Sequence, residues 1–266
     1  MNNRTNNQDS FFQYISVSII PICLIVSLIF GGIEKSFEKI IYTGAVLSNP
    51  QIILNQLKTK EKSDSIDEKA NLETIEKEAL DTFVPIIRKE MQSFLKVLLA
   101  IKKPKRILEV GTAVGFSAIL MSEYAPEDCV ITTIEKYEKR IPIARENFKR
   151  AGKEDKITLI EGDALEVLKS LDESYDFVFM DAAKGQYIYY MPEVIRLLSK
   201  DGVLISDNVL QDGDIIESRF AVERRNRTIH SRMREYLYEL KHHPLLETSI
   251  IPLGDGVALS TKVREE

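Results

Sequence analysis

Apolar residues along the chain follow two rhythms. In the first, spacings of three and four join Leu72, Ile75 and Ala79, then, after Pro85, Ile87, Met91, Phe94, Leu95, Leu98 and Leu99. These spacings predict two amphipathic helices, one over 66–82 and a second that Pro104 ends. The second rhythm is short and continuous: RILEV (106–110), VITTIE (130–135), ITLIEG (157–162), DFVFMD (176–181) and GVLISD (202–207). Runs this short, rich in Val, Ile and Phe, suit strands buried on both faces. Amphipathic stretches such as 138–151 and 187–199 lie between them. The alternation predicts an α/β fold, a Rossmann-like, doubly wound and mostly parallel sheet with ligands at the carboxyl ends of its strands. TSIIPLGDGVALST reads as two strands turning at Gly254, Asp255 and Gly256, an antiparallel hairpin on the sheet edge.

The front of the chain breaks both rhythms. Residues 11–33 carry no charge and are mostly apolar, long enough as a helix to cross a bilayer core. A membrane anchor within an N-terminal extension over 1–40 is the expectation; a start codon placed too far upstream is the alternative. Residues 41–66 read as a linker, and 67–266 as the catalytic domain, expected in the cytoplasm. Composition narrows the chemistry further. The formal charge of −5 excludes a globally basic nucleic-acid coat, and two cysteines without a CxxC exclude a disulfide framework or zinc cluster. With three histidines in all, carboxylates are left to carry the chemistry.

Those carboxylates stand at the predicted strand ends. After the first strand comes EVGTAVGFS, where Gly111 and Gly115 bracket a tight turn before a helix. Glu109 nearby would repel a phosphate and favour a cationic ligand. The second strand ends at Glu135, placed to accept ribose hydroxyls, so a positively charged nucleoside, S-adenosylmethionine, is expected. Gly162-Asp163-Ala164 follow the third strand, where they can flank an adenine. Asp181, Asp207 and Asn208 end the fourth and fifth strands, a hard-oxygen set suited to Mg²⁺ or Ca²⁺. Lys184 lies three residues past Asp181; beside a dication its pKa should fall, letting it take a proton from a substrate hydroxyl.

Together ILEVGTAVGFSA, TTIE, GDALE, FMDAAKGQY, LISDNVL and IIPLGDGVALS resemble the metal-dependent S-adenosylmethionine O-methyltransferases of the catechol and caffeoyl-CoA kind, over about residues 67–266. Within that family the motifs look most like the bacterial tRNA 5-hydroxyuridine methyltransferases, which make 5-methoxyuridine at the wobble position. The resemblance implies cofactor contacts at Ile87, Glu109, Gly111, Ser117, Glu135, Asp163, Ala164 and Asp181. It also implies Mg²⁺ at Asp181, Asp207 and Asn208, and Lys184 as base. A homodimer is implied too, with the helix at 66–82 as a contact. Arg219, Arg224, Arg225, Arg227, Arg232 and Arg234 crowd into 219–234 against one acid, Glu223. They offer phosphate contacts to tRNA; a solvated helix face is the other reading. The alternative acceptor is a small catechol or a hydroxycinnamoyl-CoA.

Overall fold

The computed structural model describes residues 66–265 apart from Arg219. The stretch at 11–33 and the linker up to residue 65 therefore lie outside the described residues. Among the described residues no helix is long and apolar enough to cross a membrane. Two helices lead, α1 (Ile66–Asp81) and α2 (Lys89–Lys102). Met91, Leu95 and Leu99, four residues apart, turn the buried face of α2 inward. Lys103 ends α2 in the left-handed region (φ 50°), its N–H donating to Leu99 O, and Pro104 cannot continue the turn.

Five strands then alternate with helices: β1 (Arg106–Val110), α3 (Phe116–Tyr124), β2 (Val130–Glu135), α4 (Ile141–Arg150), β3 (Ile157–Glu161), α5 (Ala164–Ser170), β4 (Tyr175–Met180), α6 (Tyr187–Leu197) and β5 (Leu198–Asp207). Helix α7 (Arg227–His242) and the hairpin β6 (Leu246–Ile251) and β7 (Val257–Lys262) follow. The seven strands lie in the order β3-β2-β1-β4-β5-β7-β6. The first five are parallel, and β7 runs antiparallel between β5 and β6. Strand order reverses between β1 and β4, which opens a crevice at their carboxyl ends.

Alternation along β4 explains why its sequence is apolar throughout. Phe177 and Phe179 face one core with Leu95, Phe116 and Phe148, whereas Val178 and Met180 face a second with Tyr187, Val194 and Tyr236. Both faces are covered, so no polar alternation survives. The sequence reading differs at two places. Strand β5 begins at Leu198 rather than 202, with a pairing irregularity against β4 where Asp201 takes a left-handed φ of 60°. The polar Ser199-Lys200-Asp201 hides that start. The arginine-rich segment forms a short 3-10 turn at Arg224–Asn226 and becomes α-helical only from Arg227, where Met233, Tyr236 and Leu240 turn inward.

Candidate active site

The crevice between β1 and β4 is a cavity of about 760 Å³, a size that suits a small-molecule site. Its floor is the loop after β1. The N–H groups of Gly111 and Thr112 both donate to Ile134 O, and Asp181 N donates to Val110 O, so three strand ends are tied together. Gly111 has φ 104°, and a Cβ there would lie 2.2 Å from the backbone oxygen of Asp181. Only glycine lets these loops approach so closely.

Glu135 lines the cavity at the end of β2. Its Oε1 accepts from Lys136 N and Tyr137 N, and its Oε2 from Ala113 N, all between 2.8 and 2.9 Å. A carboxylate offers about four lone-pair sites, so one remains on Oε2 rather than the pair expected for two ribose hydroxyls. Ala164 and Gly162 line the same end, but Asp163 does not. Its carboxylate caps α5 through Leu165 N and pairs with Lys136.

Glu109 is fully buried behind the wall and does not line the cavity. It accepts hydrogen bonds from Ser117 Oγ at 2.5 Å and from Thr133 Oγ1. Burial, partly offset by those two hydroxyls, pushes its carboxyl up to about 7, and the charges of Asp181 and Glu135 push the same way. The carboxyl ordinarily titrates near 4.5, so the folded chain resists ionising it. No stability is lost below that value, and the loss grows as pH rises through 7, toward about 3 kcal/mol. Urea unfolding of wild type and Glu109→Gln at pH 5 and pH 8 measures this. The variant's stability relative to wild type is expected to rise by about 2–3 kcal/mol between the two pH values; a constant difference refutes it.

At the other end, Asp181, Asp207 and Asn208 line the cavity together from the ends of β4 and β5. Asp207 is almost wholly buried, and burial first, then the nearby charge of Asp181, raises its carboxyl to about 6. Asp207 Oδ1 accepts from Asn208 N at 2.8 Å, and Asn208 adopts a left-handed φ of 56°. Two acids held close enough to repel, with an amide beside them, form a hard-oxygen donor set that fits Mg²⁺.

With no dication beside it, Lys184 is held as the ammonium. Burial lowers its pKa, but the charges of Tyr187 and Asp181 outweigh it and hold the amine above its ordinary range. The cause is geometric: Lys184 Nζ lies 2.8 Å from Asp181 Oδ1 and 3.1 Å from the Tyr187 hydroxyl Oη, and donates to Asp207 O at 3.3 Å. Sequence reasoning missed Tyr187, a fully buried phenol whose hydroxyl donates to Met180 O and receives Ala182 N. Its only signal was an aromatic three residues past the lysine.

Nine predicted residues therefore line one cavity: Ile87, Gly111, Ser117, Glu135, Ala164, Asp181, Lys184, Asp207 and Asn208. The arginines do not join them. Among the described residues, Arg227 donates to Val222 O and Phe220 O, Arg232 to Gly185 O and Arg234 to Ile215 O. Arg227 braces the backbone of its own segment, whereas Arg232 reaches the carbonyl next to Lys184 and Arg234 the one at Ile215. Arg224 and Arg225 stay exposed, Arg225 paired with Glu223 at 2.7 Å. Arg219 lies outside the described residues.

Comparison with known proteins agrees with this architecture. A family model described as O-methyltransferase matches residues 61–263. A caffeoyl-CoA O-methyltransferase of Medicago sativa is 32% identical over 185 residues, which is 64% of this chain and 72% of that protein. The crystal structure of a provisionally assigned caffeoyl-CoA O-methyltransferase from Staphylococcus aureus superposes with a TM-score of 0.68 at 30% identity, covering 79% of this chain and 97% of that one. The S-adenosylhomocysteine-bound structure of the Podospora anserina methyltransferase PaMTH1 gives 0.65 at 26% identity, covering 79% and 95%.

Proposed function

Because this chain belongs to the O-methyltransferase family, we propose that it moves a methyl group from S-adenosylmethionine to one of two adjacent oxygens on a catechol-like acceptor, with Mg²⁺. Plant relatives are named caffeoyl-CoA O-methyltransferases, which puts a hydroxycinnamoyl-CoA first as acceptor and a free catechol second. The observation that carries the reading is the meeting of Asp181, Asp207 and Asn208 with the Gly111 loop and Glu135 in one cavity.

The cofactor end is built for a cationic nucleoside. Gly111 lets backbone approach closely, Glu135 keeps one acceptor site for a ribose hydroxyl, and the buried Glu109 carboxyl behind Ser117 favours positive charge over phosphate. Ile87 and Pro85 cover it from the segment before α2. At the other end, Asp181, Asp207 and Asn208 would hold Mg²⁺. When bound, the dication lowers the pKa of a chelated hydroxyl. Positive charge held at Asp181 would offset the pairing that keeps Lys184 protonated, so that Lys184 gives its ammonium proton to solvent; the neutral amine then takes the hydroxyl proton at Nζ and ends as the ammonium. The acceptor oxygen then attacks the sulfonium methyl in line: an O–C bond forms, the S–C bond breaks, and both electrons stay on sulfur. Positioning supplies much of the acceleration.

A second reading, 5-hydroxyuridine in tRNA, is favoured by Arg224 and Arg225, exposed next to Asn226, which lines the acceptor end. One experiment separates them. The full chain is incubated with S-adenosylmethionine and caffeoyl-CoA, a free catechol, or tRNA carrying 5-hydroxyuridine, with Mg²⁺ or with EDTA, and products are read by mass spectrometry. Methylated caffeoyl-CoA or catechol, lost with EDTA, is the expected result. Methoxyuridine alone moves the assignment to tRNA, and no methylated product from any of the three overturns the reading.

A further inference from the structure

We propose that Arg88 and Asp255 are positioning residues whose ion pair clasps the segment covering the cofactor to the metal-bearing side of the cavity. The proposal rests on the reading that this cavity takes S-adenosylmethionine. Arg88 Nη2 lies 3.1 Å from Asp255 Oδ2, the two being 167 residues apart in sequence, and both line the cavity. No feature of the sequence alone couples them.

Each partner is fixed to a different half of the site. Arg88 closes the covering segment that begins at Val84, and its carbonyl accepts from Gln92 N while Ile87 O accepts from Gln92 Nε2. Gln92 in turn donates to Glu76 on α1. Asp255 sits in the β6–β7 turn, which is bolted to the loop after Asp207 and Asn208: Val209 N donates to Gly256 O and Leu210 N to Asp255 O. Gly256 has φ 83°, and a Cβ there would lie 2.2 Å from Leu210 Cγ, so the turn and that loop are pressed together. The ion pair thus adds a polar bridge between elements whose apolar residues Ile87 and Val257 lie in the same core. Asp255 is mostly shielded, with 14% of its side chain exposed against 54% for Arg88.

A half-exposed pair contributes modestly, which sets the scale of the test. S-adenosylhomocysteine binding is measured by titration calorimetry without metal, on wild type, Arg88→Ala, Arg88→Lys, Asp255→Asn and the Arg88→Ala/Asp255→Asn double variant. Each of the Ala and Asn single variants is expected to bind about three- to fivefold more weakly, the double no more weakly than either, and the lysine variant to recover most of the loss. In 0.5 M NaCl the gap between wild type and Arg88→Ala should narrow. In turnover the KM for S-adenosylmethionine should rise in Arg88→Ala with kcat within twofold. Additive losses in the double variant, or single variants that bind like wild type, overturn the clasp alone. Failure of wild type to bind S-adenosylhomocysteine overturns both the clasp and the reading beneath it.

Discussion

Asp207→Asn is expected to make the metal-free protein more stable while abolishing turnover. At neutral pH the wild-type carboxylate is ionised in an almost wholly buried place, against the charge of Asp181. Its carboxyl ordinarily titrates near 3.8 and here near 6. Folding therefore loses stability as pH rises from the first value through the second, and keeps that loss above it. An asparagine removes the charge yet still offers an oxygen to Asn208 N, which now bonds to Asp207 Oδ1. Urea unfolding at pH 7.5 without metal should show a gain of about 2 kcal/mol, shrinking toward zero by pH 4. Added Mg²⁺ should stabilise wild type and leave the variant unmoved, and methyl transfer should fall by about a thousandfold or more. A variant less stable than wild type at pH 7.5 would refute the repulsion, and one that keeps its turnover would refute the metal assignment.

Among the described glycines, Gly111→Ala should have the largest effect, because its new methyl meets backbone. Its backbone φ of 104° already excludes an ordinary side chain, and the new carbon would sit 2.2 Å from Asp181 O and 2.9 Å from Asp181 C. Backbone cannot swing aside as a flexible side chain can, so either the β1 loop or the end of β4 must move. Overpacking and a left-handed backbone together cost about 2–5 kcal/mol. Because Asp181 moves with that loop, cofactor and metal affinity fall together. Thermal unfolding and S-adenosylhomocysteine titration read the two effects, with Gly152→Ala as the reference. Gly152 also has positive φ, at 62°, but nothing lies within 4 Å of its Cβ, so only backbone strain of about 1 kcal/mol is expected there. Equal losses in the two variants would show that φ, not the contact with Asp181, decides.

The strands were legible because burial on both faces leaves an unbroken apolar run. RILEV and VITTIE match β1 and β2 residue for residue. Site residues at strand ends were legible for the same reason: the sheet puts successive carboxyl ends in a row, so Glu135, Asp181 and Asp207 had to meet. What stayed hidden depends on distance across the fold. Glu109 follows the period of a buried strand, and nothing in its neighbours told that its carboxyl turns to Ser117 and Thr133 instead of the cavity. Asp163 resembles an adenine contact and a helix cap equally in sequence; in the structure it caps. The partnerships of Lys184 with Tyr187 and of Arg88 with Asp255 join side chains whose meeting follows from tertiary packing. Six arginines within residues 219–234 offered a phosphate face, and their spacing does not reveal that Arg227, Arg232 and Arg234 donate to backbone carbonyls.

The cavity also divides along the chain. The proposed cofactor side is lined by residues up to Ala164, and the proposed acceptor side by residues from Asp181 onward, including Gln211, Asp214 and Asn226 in the connection from β5 to α7 and Ile229 on α7 itself. That connection is anchored to the β6–β7 turn through Val209 and Leu210 and lines the cavity with Gln211, Asp214 and Asn226. Divergence among relatives can therefore rewrite this stretch, trading one acceptor for another, without renegotiating the methyl donor. Grafting 211–226 between relatives becomes a transplant of specificity into an unchanged engine.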